Sequence, residues 1–268
     1  MKDSEQVKKR AIDIKTRLFC DTVAAFAAGF TVAPMITPVD VAVTSSQSGK
    51  QKIVPAFLEQ VRTMFLKPHK FFLDKPYLWI FSVYTFTYAA NNTIDSLCKI
   101  YRFNDVIPKL VGVTAVNMTL SILKDAALAR YFGTKPPGKV PTVSYFIWLI
   151  RDALSMAAAF IIPSRVSKLI EKKYSMEKPK AEKTSQFMTP ILFQTVLLPI
   201  HLIGLDYYNV DKSSMTSRLK RIFKVYPGAL PLRFFRMGSA YGVGGVNNKS
   251  FRNKFISKYE GKDWDKNY

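Results

Sequence analysis

The sequence predicts an all-α membrane protein, six transmembrane helices in three pseudo-repeats with short surface helices between them. Three observations carry this. Apolar stretches recur along the 268 residues, separated by polar, Lys-rich and Arg-rich connections. Three of these stretches close on a single carboxylate, Asp40, Asp125 and Asp206, at similar intervals. The end of the second stretch, Tyr-Ala-Ala-Asn-Asn from Tyr88, is echoed near the end of the sixth, where Tyr241 is followed by small residues and then Asn247 and Asn248. A lone carboxylate in an apolar helix is costly in a bilayer unless paired, so each of the three aspartates marks a functional position. The alternative is a helix cap or a contact with lipid headgroups.

Composition narrows the class. Hydrophobic residues make up 48% of the chain, with 20 Phe and 13 Tyr. Lys and Arg number 40 against 19 Asp and Glu, a formal charge of +21 that favours a negative partner. The basic residues sit mostly in the connections and do not form one aromatic-laced face. That is the pattern of membrane-flanking charge and not of nucleic-acid binding. The expected partners are therefore membrane lipids, anionic ones such as cardiolipin among them, with no nucleic acid. Protein partners are not specified by the sequence. A mean hydropathy close to zero suits short spans joined by long polar segments. Cys20 and Cys98 form no disulfide framework, and His69 and His201 are too few for a histidine metal site. No cofactor is implied. No Ser/His/Asp, Cys/His or paired-carboxylate pattern suggests an enzyme.

Residues 1–17 read as a polar helix or tail, neither a secretory signal nor a clean organelle presequence. The first span covers 18–43, long enough for about 30 Å of hydrocarbon. Its alanines and Gly29 allow close helix contact, and Pro34 and Pro38 are expected to kink or end it near Asp40. Residues 52–72 place Phe57, Val61, Met64 and Phe65 at helical spacing, a surface helix. Pro76 opens the second span. The third runs over 106–125, the fourth over 142–163 with Arg151 and Asp152 in its middle, the fifth over 187–205, and the sixth over 228–248 with Arg233 and Arg236 inside. The repeats divide as 18–100, 101–173 and 186–252. A solvated basic linker is expected over 174–185 and a polar tail over 253–268. Residues 133–139 have phosphate-loop spacing, but Val140 and two prolines make a turn the better reading.

Ionisable groups within a span should face the interior. Arg151, Arg233 and Arg236 are the cavity candidates, as groups that bind an anion or as structural ion pairs. Asn91, Asn117 and Asn247 would line the same cavity or bond between helices.

At these residues the chain resembles the mitochondrial carrier family, whose odd helices end in Pro-x-Asp/Glu-x-x-Lys/Arg. Pro38-Val39-Asp40 fits the first half, with Val43 at the basic position. Leu123 and Gly204 replace the other prolines, while Leu128 and Asn209 replace the other bases; Arg130 lies two positions past Leu128. The resemblance implies a ring of three acids whose own bases are missing, with Lys124 the nearest substitute cation. Without partners the acids would repel. It implies a multi-pass protein of a mitochondrial membrane, inner rather than outer, transporting a small anionic metabolite. The alternative is a carrier-fold scaffold or assembly and insertion factor that transports nothing.

Overall fold

The computed structural model describes the backbone of residues 2–134 and 139–260 and the side chains of residues 14–134 and 139–258. Every regular element among them is helical. In order these are α1 (Lys2–Gln47), α2 (Ile53–Leu66), α3 (Pro68–Phe72), α4 (Lys75–Tyr101), α5 (Val106–Phe132), α6 (Thr142–Phe160), α7 (Ile162–Tyr174), α8 (Lys178–Leu192), α9 (Gln194–Asn209), α10 (Met215–Gly238), a π-helical stretch (Ser239–Gly245) and α11 (Val246–Glu260). Local chemistry fixes several ends. The Asp74 carboxylate accepts from the Lys75 N–H at 2.9 Å, with Pro76 in the first turn of α4. Arg102, in the left-handed region at φ 57°, stops α4. The Ser214 hydroxyl caps α10 by accepting from the Ser217 N–H at 3.3 Å.

The long helices neighbour one another in a closed circuit. α1 lies against α4, α4 against α5, α5 against α6, α6 against α9 and α9 against α10, while α10 and α11 return to α1. Close approach depends on small residues. Ala24, Ala25 and Ala28 are fully buried, and a Cβ at Gly29 would collide with the Thr85 side chain and backbone on α4. One apolar cluster joins Val39 and Val43 of α1 to Trp148, Leu198, Leu202 and Ile222. A second joins Val32 and Ile36 to Phe71, Tyr77 and Ile80. Phe146, Leu149 and Ile150 of α6, Val106, Ile107 and Val111 of α5, and Val54, Leu58 and Phe65 of α2 stay exposed. Such an outer apolar surface suits hydrocarbon or its interface.

Four segments among the described residues are long and apolar enough to cross a membrane: Ile14–Gln47, Val106–Phe132, Thr142–Phe160 and Lys178–Asn209. Six spans are not shown by these helices. The expected second and sixth spans fall on α4 and α10, where Asn, Asp and Lys in α4 and the arginines of α10 dilute the apolar character. The third unit's expected surface helix and the first half of its sixth span are one element, since α10 runs on through Pro227 and Pro231 to Gly238; the rest of that span lies in the π-helical stretch and the start of α11. α1 likewise passes both of its prolines and continues to Gln47, because packing of Ala33, Ile36 and Val39 holds the backbone helical. Residues 2–17 belong to the same helix.

The expected solvated linker is instead part of a helical hairpin. α7 and α8 pack together, and the Ser185 hydroxyl donates to the Pro163 carbonyl at 2.5 Å. Buried Ala181 and Ser185 give the Lys-rich segment one inward face, which its charge density concealed. Within the expected turn at 133–139, residues 135–138 lie outside the described residues, as does the tail beyond residue 260.

Candidate functional site

A cavity of about 510 Å³ opens between α4, α5, α6, α10 and α11. Its size lies within the range of about 300–1,000 Å³ usual for small-molecule sites. Tyr84 and Asp95, both on its wall, are separated by eleven residues of α4, a depth of about 16 Å. Charged clusters stand at both ends, and polar groups of α4 and α5 line the middle.

The floor is built from α1, α5, α6 and α10. Lys124 Nζ lies 2.6 Å from Asp40 and 2.8 Å from Asp125, while Arg151 reaches Asp125 at 2.5 Å and Asp152 at 2.6 Å. Arg236 approaches Asp40 at 2.9 Å and Arg233 at 3.8 Å. The His201 Nδ1 contacts Arg151 Nη1 at 2.5 Å. Asp40, Asp125 and Lys124 are each only 2% exposed, so these charges can be held only by pairing. Four cations (Lys124, Arg151, Arg233 and Arg236) meet three carboxylates (Asp40, Asp125 and Asp152), and the floor is close to neutral.

The rim carries a second ion-pair network. Arg252 of α11 bridges Asp21 of α1 and Asp95 of α4, at 2.6 Å each. Lys109 of α5 pairs with Asp95 at 2.5 Å and also with Asp105. Ser96 donates to Asp21 and accepts from Arg17 at 3.0 Å. Asn92 and Asn248 exchange hydrogen bonds at 2.8 Å in both directions.

Arg151, Arg233, Arg236, Asn91, Asn117 and Lys124 all line the cavity. Asn117 also donates to the Thr87 hydroxyl at 3.1 Å. Asn247 does not line it. The side chain donates to Thr31 at 3.3 Å, and the next residue, Asn248, is the one turned inward. Arg130 is exposed at the end of α5, away from the floor. Pro38 is buried within α1, one turn's reach from the floor.

Asp206 forms a separate cluster. Arg218 and Arg221 of α10 each reach it at 2.6 Å, and the Gln47 amide donates to it at 3.5 Å. Its hydrogen bond to Arg221 raises the pKa of that guanidinium above its ordinary value, against a smaller loss to desolvation. Gln47 lies seven residues past Asp40, about 10 Å further along α1. The three aspartates therefore do not form one ring: two share Lys124, and the third sits at another level. None of them lacks a cation, so the expected mutual repulsion is absent. Asp21, Asp95, Asn248 and Arg252 escaped the sequence reading. Asp21 and Asp95 carry the same signal as Asp40, a carboxylate in an apolar stretch, whereas Arg252 lies in a polar segment with nothing to mark it.

Residues 24–256 match the family described as probable citrulline exporter. The chain belongs to that family. The match covers all the floor residues and, at the rim, those of α4, α5 and α11 but not Asp21 or Arg17, and it makes the chain a multi-pass membrane protein of a transport family. It also corrects the resemblance to the mitochondrial carriers, whose family is not the one matched. The split of the three aspartates between two levels removes the geometric basis of that resemblance as well. No curated protein shows a significant match.

Proposed function

We propose that the protein exports citrulline, or a closely similar neutral amino acid, across a membrane through the cavity between α4, α5, α6 and α10. The observation that carries this is the floor itself, a buried patch where four cations meet three carboxylates at the end of a cavity of small-molecule size. A small anion would find only a slight positive surplus there. Citrulline carries an α-ammonium and an α-carboxylate at neutral pH, with an uncharged ureido side chain, and so matches a site offering both signs. Thr87, Asn91 and Asn117 on the wall supply hydrogen-bonding groups for the ureido end. Family membership supports the same substrate. The substrate crosses unchanged, and no catalytic step belongs to the proposal.

A mitochondrial inner membrane remains the proposed location, supported by the +21 charge, which suits a surface rich in anionic lipid such as cardiolipin. Fractionation of intact organelles tests it. For transport, purified protein is reconstituted into vesicles loaded with labelled citrulline. Efflux faster than from protein-free vesicles, and lost in Arg236→Ala, is expected. Equal release from both kinds of vesicle refutes the proposal.

A further inference from the structure

Four side chains of the floor carry a buried polar atom without a hydrogen-bond partner, at Asp40 Oδ1, Asp152 Oδ2, Arg233 Nε and Arg236 Nε; the first and last of these face each other as an ion pair at 2.9 Å, which leaves Asp152 and Arg233. Asp152 accepts from Arg151 Nε at 2.9 Å and from Nη2 at 2.6 Å, both on Oδ1. Its Oδ2 is buried without a partner. Arg233 comes no nearer to Asp40 than 3.8 Å, beyond hydrogen-bond distance, and its buried Nε has no acceptor. Asp152 is 6% exposed and Arg233 4%, and both line the cavity. An unmet buried polar atom is destabilising, the more so when charged. The floor therefore presents one charged acceptor and one charged donor, each stabilised by an occupant of opposite charge.

The rim provides the contrast. Asp95 and Arg252 bring the same two charge types together there, but spend them on each other at 2.6 Å. Arg236 Nε also makes no hydrogen bond, but it lies at ion-pair distance from Asp40 Oδ1, 2.9 Å. Among the described residues, Asp152 and Arg233 are the two buried, cavity-lining charges whose unpartnered atom has no opposite charge at ion-pair distance.

We infer that Asp152 and Arg233 form a clasp for the headgroup of an α-amino acid. Asp152 Oδ2 accepts from the α-ammonium and the Arg233 guanidinium donates to the α-carboxylate. The inference rests on the amino-acid export proposed above and names the groups that recognise the substrate. With the headgroup held at the floor, the substrate side chain extends along the cavity towards Thr87, Asn91 and Asn117. The clasp selects zwitterions as a class, and the wall selects among their side chains.

The test is binding to the purified full chain by isothermal titration calorimetry with four probes. They are L-citrulline, 5-ureidopentanoic acid (lacking the α-amino group), (4-aminobutyl)urea (lacking the carboxylate) and L-alanine. Loss of either headgroup charge is expected to weaken binding by about tenfold to a hundredfold. Asp152→Asn should abolish the penalty for ureidopentanoic acid alone, and Arg233→Gln the penalty for aminobutylurea alone. Should either variant fail to fold, the wild-type comparison decides. Equal affinity for citrulline and both truncated analogues overturns the clasp, even if citrulline is exported. Binding of alanine but not citrulline supports the clasp and sinks citrulline as the substrate. If neither zwitterion binds, the clasp is overturned whatever the efflux assay shows.

Discussion

Replacing Lys124 by Met keeps most of the side-chain volume and removes one buried charge. Lys124 sits 2.6 Å from Asp40 and 2.8 Å from Asp125, with 2% of its surface exposed. Removing one member of a buried ion pair costs about 3–5 kcal/mol. The lower end applies here, because Asp40 keeps Arg236 at 2.9 Å and Asp125 keeps Arg151 at 2.5 Å. At about 2–4 °C per kcal/mol for a chain near this size, the melting temperature should fall by about 6–12 °C. Thermal unfolding in detergent, followed by circular dichroism, measures it. Asp40→Asn on its own should destabilise as well, leaving four floor cations against two carboxylates. The double variant restores the balance, so it should be less harmed than the two single changes added together, by roughly 0.5–3 kcal/mol. A Lys124→Met protein as stable as wild type, or strict additivity in the double variant, would refute the network as described.

Two further perturbations probe the frame around the site. A Cβ at Gly204 would run into the indole of Trp148, which is fully buried between α6 and α9. Gly204→Ala should therefore cost about 1–3 kcal/mol and alter the tryptophan emission spectrum, and an unchanged spectrum and melting temperature would count against this packing. Arg252→Ala removes the bridge from α11 to Asp21 and Asp95, at about 3 kcal/mol. Limited proteolysis should then cut within α11 faster than in wild type, with Arg252→Lys showing an intermediate rate.

Much of the site could be read from the sequence by a single rule, that a charge inside an apolar stretch must face the interior. The rule found Asp40, Asp125, Arg151, Arg233 and Arg236, all of which meet at or beneath the cavity floor. Applied as strictly to Asp21 and Asp95, it would have found the rim too. Arg252 obeys no such rule, since its burial comes from helices distant in sequence. The threefold repeat is not shown by the described helices, and the spacing that suggested it has a simpler physical cause. Helices long enough to cross hydrocarbon, laid end to end, return a chain to the same level at a nearly constant interval without any duplication. Pairing partners break that apparent period: Asp206 answers to Arg218 and Arg221, one level away from the Lys124 pair. Aromatic density in α4 suggested a span, while Asn91, Asn92, Asp95 and Lys99 held it below the hydropathy of one.

The two prolines of α1 fall between the levels of Asp21 and Asp40. Proline has no amide hydrogen, so the carbonyls of Phe30 and Pro34 receive no main-chain bond from the residue four places on. One rung is missing from each of two successive turns of α1, a rod that joins the rim to the floor. Its resistance to bending is lowest there, and a tilt at Asp21 is taken up in that turn before it reaches Asp40.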